Sequence, residues 1–441
     1  MMLARAISLV ALYLSATIVG GLPSQLLNPR NPVLPENDPF YVPPAGFEDT
    51  APGSILRYRK TPAPLFGVMP VKLSGAYQIL YRTSDNFGRP AATVSTILIP
   101  KGVDFSKVLS YQFAEDSGSP NCAPSYVILK GADPGGKMGI STSHKEMIVV
   151  VTALARGWIV TIPDVEGSTA AFLANHRAGH AVLDGIRATL ASKEITGIPK
   201  NAAVAMWGYS GGSLATGFAA ELQPSYAPDL SIVGAALGGT VPDIKKALSA
   251  INNGKHAGLI PAGVLGLAHE YPEIKAIVDE HLISEKREDF MQALVECLNA
   301  NEVRFRGNDI FSYFKSGVAI LDLDPVNRAL EENSMGQHVP EIPLLIYKAI
   351  KDEVSLVDDT TALVNNYCSH GASVDYRLSE VGDHSTMAIL GAADALFWLN
   401  QRAEHIPQKG CIDSTKVTPP PNVLSEAPAG LLKILNKPTG N

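Results

Sequence analysis

The sequence has few charges and few cysteines, and it lacks the patterns that mark nucleic-acid and metal binding. Charged residues make up 18% of the 441 residues, the net charge is −7, and no run of five like charges occurs. A mildly acidic chain repels phosphate backbones, which argues against nucleic acid as a partner. No Cys-x-x-Cys is present, which excludes zinc ribbons and thioredoxin-like sites. No Asn-x-Ser/Thr sequon occurs either, so export of this chain need not involve N-glycans.

The first 21 residues have the pattern of a secretory signal peptide. Arg5 precedes the apolar run Ile7–Val19, and Gly20 and Gly21 supply the small residues at which such peptides are cleaved. The alternative is a membrane anchor, but the apolar run is shorter than the roughly 20 residues that span a bilayer. We therefore expect a secreted, extracellular protein with no integral membrane segment in the mature chain.

The four cysteines of the chain are Cys122, Cys297, Cys368 and Cys411. An even number in an exported protein indicates disulfides, and four cysteines allow three pairings. Proximity in the sequence favours Cys368–Cys411, which leaves Cys122–Cys297 as the second pair.

Short β-branched runs alternate with helical patterns from Val71 onward. This alternation predicts an α/β fold with a mostly parallel central sheet, since the later runs are continuous, as in strands buried on both faces. Hydrophobic residues make up 46% of the chain, enough for a sizeable core. The predicted strands are Ala76–Tyr81, Thr93–Ile99, Val108–Phe113, Trp158–Ile162, Val204–Trp207, Ile232–Ala236, Leu344–Ala349 and Val374–Leu378. The predicted helices are Ala178–Leu190, Ser213–Leu222 and Ala388–Leu399.

The same patterns divide the chain behind the signal peptide of residues 1–21 into five segments. Residues 22–65 are Pro-rich and predict an extended arm, and residues 66–237 and 338–411 form the two parts of the α/β core. Residues 238–337 show no convincing strand but helical patterns over Asp243–Ile251, Glu273–Ile283 and Lys286–Leu298. Such an insertion predicts a cap over the site, with a surface decoration as the alternative. Residues 412–441 predict a linker that ends in an apolar flap, Leu431–Leu435.

The segment Gly208-Tyr209-Ser210-Gly211-Gly212 is the one match to Gly-x-Ser-x-Gly in the chain. A predicted strand precedes it and a predicted helix follows, which is the strand–turn–helix elbow that exposes a nucleophilic serine. The flanking glycines permit strained dihedral angles and leave room for a substrate. An ordinary Gly-rich turn is the alternative, but the flanking elements favour Ser210 as a nucleophile.

A serine hydroxyl needs a general base. In proteins with this nucleophile elbow, the chain order is serine, acid, histidine. His281, His338, His370 and His405 satisfy the order, but His384 follows a predicted strand directly and precedes a helix, so we expect it to be the base. The strand Leu344–Ala349 is followed by Asp352 and Glu353. Asp352 comes first at the strand exit and is the predicted acid, with Glu353 as the fallback. Asp358 and Asp359 fit the start of a helix instead.

The oxyanion of the tetrahedral intermediate needs two hydrogen-bond donors. The backbone N–H of Gly211, directly after the serine, is the first. The loop after the predicted strand Val108–Phe113 should supply the second, and the N–H of Asp116 is our candidate. A carboxylate beside an oxyanion is electrostatically unfavourable, so the Asp116 side chain must point away or be neutral.

Three further sequence patterns are weaker evidence for a function. Gly131–Met138 is similar to a phosphate-binding loop, but Met138 stands where a magnesium-binding Ser or Thr is required. His176 and His180 are four residues apart without an evident third metal ligand. The apolar stretch Leu259–Ala268 either lines an acyl channel or packs in the core.

Several unusual stretches resemble the fungal secretory lipase family between about Asp38 and Cys411. These stretches are Tyr111-Gln112 with Glu115-Asp116, Asn121–Tyr126, Asp164–Gly167, Leu183–Ala188, Gly208–Gly212 and Ser225–Pro228. The resemblance implies an α/β-hydrolase with a helical cap and a C-terminal flap. It also implies a triad of Ser210, Asp352 and His384, oxyanion donors at Asp116 and Gly211, and the disulfides Cys122–Cys297 and Cys368–Cys411. Trichothecene esterases are similar to this family too.

We therefore expect a secreted serine carboxylic-ester hydrolase, a triacylglycerol lipase that works through an acyl-enzyme on Ser210. Its substrate would be a lipid ester, met at an oil–water interface, and the mechanism requires neither a metal nor an organic cofactor. We expect a monomer. The alternatives are an esterase that deacetylates a secondary metabolite and a non-catalytic binding protein on a hydrolase scaffold.

Overall fold

The computed structural model describes residues 31–62, 72–134 and 141–415. The predicted signal peptide and the flap Leu431–Leu435 lie outside the described residues, as do the last residues of the phosphate-loop-like stretch. Within the described part, no helix is both long and apolar enough to cross a lipid bilayer.

The centre of the molecule is a sheet of ten strands in the described residues. The strands are β1 Ile55–Lys60, β2 Leu73–Ser84, β3 Pro90–Pro100, β4 Lys107–Gln112, β5 Ile159–Pro163, β6 Ala203–Tyr209, β7 Ile232–Gly238, β8 Leu344–Ala349, β9 Val374–Ser379 and β10 Ile412–Thr415. Their order is β1-β2-β3-β5-β4-β6-β7-β8-β9-β10. The pairs β1–β2, β2–β3 and β3–β5 are antiparallel, and every other pair is parallel. The predicted α/β fold with a mostly parallel sheet is confirmed.

Helices cover both faces of this sheet. They are α1 Pro124–Val127, α2 Ser141–Ala155, α3 Asn175–Ala191, α4 Lys193–Thr196, α5 Gly211–Tyr226, α6 Ile244–Ile251, α7 Leu259–Glu270, α8 Pro272–His281, α9 Ser284–Phe290, α10 Leu298–Phe305, α11 Asp324–Glu332, α12 Val357–Ser369, α13 His384–Leu390 and α14 Ala392–Ala403. Val204 and Met206 of β6 pack on the side of α3 and α5, while Ala205 and Trp207 pack with α2 and α14. Both faces of β6 are therefore apolar, which is why its sequence reads as a continuous hydrophobic run.

The register of the parallel strands brings distant parts of the chain to one edge of the sheet. Gln112 of β4 is paired with Gly208 of β6, and Ala349 of β8 with Ser379 of β9. Because these strands are parallel, the loops that follow them leave the sheet at the same edge.

Residues 239–343, between β7 and β8, contain α6 to α11 and only one isolated bridge, Leu282–Phe314. This agrees with the helical character predicted for 238–337. The segment is joined to the loop after β4 by the disulfide Cys122–Cys297, and Cys368–Cys411 joins the end of α12 to the start of β10.

The sheet extends beyond both of its predicted limits. Ile55–Lys60 is an edge strand paired with β2, so the prediction of an extended arm over 22–65 is wrong for these six residues. At the other edge, Ile412–Thr415 pairs with β9, although 412–441 was predicted as linker and flap. Both strands are short and carry charged or polar side chains, as exposed edge strands commonly do, and this masks the hydrophobic signal.

Two predicted helices are interrupted, and several helices were missed, among them α7 Leu259–Glu270 and α11 Asp324–Glu332. Lys286–Leu298 is divided: α9 ends at Phe290, a 3-10 turn follows over Met291–Leu294, and Cys297, in its disulfide, is extended before α10 begins. Ala388–Leu399 is really α13 and α14, separated at Gly391. The helix Ser141–Ala155 was not predicted at all.

Candidate active site

The serine of the predicted elbow lies between β6 and α5. Ser210 has φ 54° and ψ −122°, a strained conformation for a residue with a side chain. Close backbone packing at the glycines on either side holds Ser210 in this strained conformation. A Cβ at Gly208 would overlap the carbonyl oxygen of Gly212, and a Cβ at Gly212 would overlap that of Gln112. The turn therefore accepts only glycine at these positions.

The three predicted triad side chains meet above the carboxyl ends of the strands. Ser210 Oγ lies 2.8 Å from His384 Nε2, and His384 Nδ1 lies 2.8 Å from Asp352 Oδ2. Asp352 and His384 are buried, with 3% and 6% of their surfaces exposed. The imidazole is therefore placed to accept the hydroxyl proton and is oriented by the carboxylate.

Asp352 is held in its ionised form by its surroundings. Burial alone would raise its pKa, but the hydrogen bond and charge of His384 and the charge of Lys348 lower the pKa below its usual range. Its Oδ1 also accepts the N–H groups of Val354 and Ser355 at 2.9 and 3.0 Å. An ionised carboxylate only accepts hydrogen bonds, so in the neutral imidazole Nδ1 of His384 carries the proton and Nε2 can accept one.

Lys348 is a partner of the acid that the sequence did not reveal. It is fully buried on β8, and its Nζ lies 3.0 Å from Asp352 Oδ2 and donates to Thr240 O at 2.9 Å. Burial lowers the pKa of Lys348, while the adjacent Asp352 opposes the shift. A lysine within an apolar strand, four residues before an aspartate, was the available signal.

The backbone of His384 is fixed at both of its polar groups. His384 is the first residue of α13, because Asp383 and Thr386 form a capping box that starts the helix there. Its carbonyl accepts a hydrogen bond from Tyr209 Oη at 2.6 Å, and its N–H donates to Glu353 Oε2 at 2.9 Å. Glu353, the fallback acid, thus contacts the histidine main chain and not its ring.

Asp116 and Gly211 lie next to each other, as required of an oxyanion site. Oδ1 of Asp116 occupies the space that a Cβ on Gly211 would need, and Asp116 itself has a positive φ of 48°. The backbone N–H of Asp116 interacts with the Glu166 carboxyl, which also accepts the N–H of Ser117 at 3.3 Å. The side chain of Asp116 therefore faces the serine turn and does not point away from it.

The carboxyl of Asp116 is neutral over much of the pH range. Burial raises its pKa to about 7, and the charge of Glu302 on α10 adds to this shift. Burial likewise raises the pKa values of Glu115, Glu146 and Glu166, whose neighbours include Asp116. A neutral Asp116 answers the electrostatic objection raised by the sequence.

A cavity of about 490 Å³ opens onto Ser210. Its apolar lining comes from both the core and the helical segment, and its size is in the range of small-molecule sites. Representative lining residues are Ile148, Val149, Leu259, Leu298, Ile389 and Leu396. Of the stretch Leu259–Ala268, Leu259 reaches this cavity while Ile260, Ala262, Leu265 and Leu267 are buried in the core.

His176 and His180 bind backbone carbonyls and do not converge on a shared ligand. His180 Nδ1 contacts Asp85 O at 3.1 Å, and His176 Nε2 contacts Glu332 O at 3.1 Å. Among the residues that the structure describes, no group of three or more His, Cys, Asp or Glu side chains is arranged to hold a metal ion.

Comparisons with known proteins agree with this geometry. The family model described as secretory lipase matches residues 136–410, more than half of the chain. Lipase A of Arthroderma benhamiae is 49% identical over 424 residues, covering 94% of this chain and 90% of that protein. Lipase 4 of Candida albicans is 37% identical over 429 residues, covering 93% and 92%.

Among solved structures, the X-ray structure of Candida antarctica lipase A in its closed state matches with a TM-score of 0.81 and 30% identity, covering 92% of this chain and 96% of that one. The fold is accordingly the α/β-hydrolase fold that the resemblance implied. The chain is a carboxylic-ester hydrolase and belongs to the secretory lipase family.

Proposed function

We propose that this protein is a secreted serine lipase that hydrolyses lipid esters through an acyl-enzyme on Ser210. The observation that carries the proposal is the continuous chain of 2.8 Å contacts from Ser210 Oγ through His384 to Asp352. The large apolar cavity beside Ser210 supports an acyl chain as part of the substrate. Two disulfides and the signal-like residues 1–21 support export.

The reaction would begin when Ser210 Oγ attacks the ester carbonyl and His384 Nε2 takes the hydroxyl proton. Asp352 stabilises the imidazolium without taking that proton. The N–H of Gly211 would hold the oxyanion together with the neutral carboxyl of Asp116, because the Asp116 N–H itself interacts with Glu166. One such donor contributes about 3–4 kcal/mol. The imidazolium then protonates the leaving alcohol, and His384 activates a water molecule to release the acid.

The helical segment of residues 239–343 would act as a cap. Leu259 and Leu298 from this segment line the cavity together with Ile389 and Leu396 of the core, which supports a place for the segment beside the substrate. Disulfide Cys122–Cys297 ties this segment to the loop that carries Asp116.

The nucleophile is tested by labelling with a fluorophosphonate probe. We expect the native protein to be labelled, and Ser210→Ala to lose labelling together with roughly 10⁶-fold in kcat. Ser213→Ala is the matched control, because the buried Ser213 hydroxyl has no hydrogen-bond partner among the described residues. Native protein that is not labelled would instead support a binding protein on a hydrolase scaffold.

The substrate class is tested with a panel of esters. We expect hydrolysis of a long-chain triglyceride emulsion as well as of a soluble short-chain ester. Activity on the soluble ester alone would contradict the lipase assignment and favour a metabolite esterase.

A further inference from the structure

His256 is clasped between two carboxylates beside the active site. Its Nδ1 is hydrogen-bonded to Glu302 Oε1, and its Nε2 lies 3.3 Å from Glu353 Oε1. The His256 side chain is 7% exposed, Glu302 16% and Glu353 38%. His256 lies between α6 and α7 and Glu302 on α10, whereas Glu353 follows β8. The imidazole therefore links the helical segment to the loop of Asp352.

The second oxygen of Glu353 holds the main chain of His384. Glu353 Oε2 accepts the His384 N–H at 2.9 Å, while the adjacent Asp352 contacts the ring of the same histidine at 2.8 Å. This N–H belongs to the first residue of α13 and has no acceptor within the helix. Two consecutive carboxylates thus fix the backbone and the side chain of one residue.

A charged and a neutral side chain next to this link also contact its carboxylates. Lys255 Nζ lies 3.9 Å from Glu353 Oε1 and donates to Ser385 Oγ at 3.1 Å. Asn299 Nδ2 donates to Glu302 Oε2, the oxygen that does not contact His256, at 3.3 Å. The rings of His256 and His384 are 6.2 Å apart, and Nε2 of His256 is engaged by Glu353. His256 is therefore not placed to exchange a proton with Ser210.

We propose that Glu353, His256 and Glu302 are positioning residues through which the helical segment sets the position of His384 against Ser210. The inference rests on the proposed roles of those two residues. The helical segment and the base His384 would then not move independently. A displacement of His256 or α10 would release Glu353, and Glu353 would release the N–H of His384. A misplacement of about 1 Å can cost on the order of a hundredfold in rate.

The test measures kcat and KM on a soluble short-chain ester, together with the rate of fluorophosphonate labelling and the melting temperature. We expect Glu353→Ala and His256→Phe each to lower kcat and the labelling rate about 10- to 100-fold with KM within about twofold. Glu353→Gln keeps an oxygen that can accept the His384 N–H, so it should retain most of the activity. Glu404→Ala is the matched control. Glu404 is half-exposed, its Oε1 lies 3.4 Å from Lys107 Nζ, and it does not line the cavity.

Glu302→Gln adds a second readout, the pH profile, because the charge of Glu302 also acts on Asp116. Asp116 is faced by Glu302 from α10, Glu146 from α2, and the nearby Glu115 and Glu166. Removing the charge of Glu302 should lower the pKa of Asp116, so the alkaline limb of kcat/KM should move to lower pH as kcat falls.

Wild-type kcat and labelling rate in Glu353→Ala and His256→Phe would overturn the inference. A lower melting temperature with an unchanged labelling rate per folded molecule would overturn it equally, since the residues would then serve stability alone. If Glu353→Ala does not fold, His256→Phe and Glu302→Gln decide the question. Failure of the proposed function is distinct, because the native protein would then not be labelled at Ser210.

Discussion

At the scale of single residues, two neighbouring carboxylates hold His384, Asp352 at its ring Nδ1 (2.8 Å) and Glu353 at its backbone N–H (2.9 Å). Ser210, Asp352 and His384 were each expected from a glycine-flanked motif or a strand exit, and the structure brings them together. The sequence favoured Asp352 over Glu353 because Asp352 comes first at the strand exit, but it could not show which group of His384 each carboxylate contacts. Only the coordinates separate their contacts, one with the ring of His384 and one with its backbone N–H.

Asp116 should give the enzyme an alkaline limb in its pH profile. Its pKa, raised to about 7 by burial and by Glu302, keeps the carboxyl neutral at lower pH and allows it to ionise as pH rises. The anion would repel the developing oxyanion, so we expect kcat/KM on a soluble ester to fall through about pH 7. Asp116→Asn cannot ionise and should lack this limb.

The control for this profile is Asp104→Asn. Asp104 is an exposed residue before β4 whose carboxylate accepts a hydrogen bond from Ser106. This variant should keep the wild-type limb. Persistence of the limb in Asp116→Asn would assign it to another group and remove Asp116 from the oxyanion site.

At the scale of elements, buried strands were predicted to within a few residues and edge strands were not. Val204–Trp207 and Leu344–Ala349 are buried on both faces, and their β-branched or apolar runs are distinctive. Ile55–Lys60 carries Arg57, Arg59 and Lys60, and this exposed edge has no hydrophobic period. Helix limits failed where tertiary contacts set them, as at the disulfide before α10 and the capping box of α13.

The two disulfides should differ in what they stabilise. Cys122–Cys297 closes a sequence separation of 175 residues and Cys368–Cys411 one of 43. Removing a disulfide costs about 2–5 kcal/mol of unfolding free energy, with roughly 1 kcal/mol more for the longer loop. We therefore expect the double variant Cys122→Ala/Cys297→Ala to be the less stable in chemical denaturation.

Activity should separate the same two variants. Cys297 precedes α10, which carries Glu302. Loss of Cys122–Cys297 should therefore also lower kcat at denaturant concentrations at which the protein is still folded. Cys368→Ala/Cys411→Ala, at the far edge of the sheet, is the control and should keep kcat. Equal activity and equal stability of the two variants would contradict this account.

At the scale of the whole molecule, strand–helix alternation was sufficient to predict the α/β fold, because a parallel sheet requires crossover helices. The proposed cap could be anticipated only as a region without strands, since a helical pattern does not show which surface the helices cover. Leu259 and Leu298 of this region line the cavity beside Ser210, which supports the proposal. The signal peptide and the flap Leu431–Leu435 stay predictions, because both lie outside the described residues.

The central claim is that the convergence of Ser210, His384 and Asp352 produces an acyl-enzyme on Ser210. The most direct measurement is mass spectrometry of protein quenched in acid during turnover of a short-chain ester, followed by peptide mapping. We predict that the acyl group is attached to Ser210, and that His384→Ala accumulates no adduct. An acyl group on another residue, or steady product formation by the native enzyme with no acylated protein under conditions of fast acylation, would contradict the account.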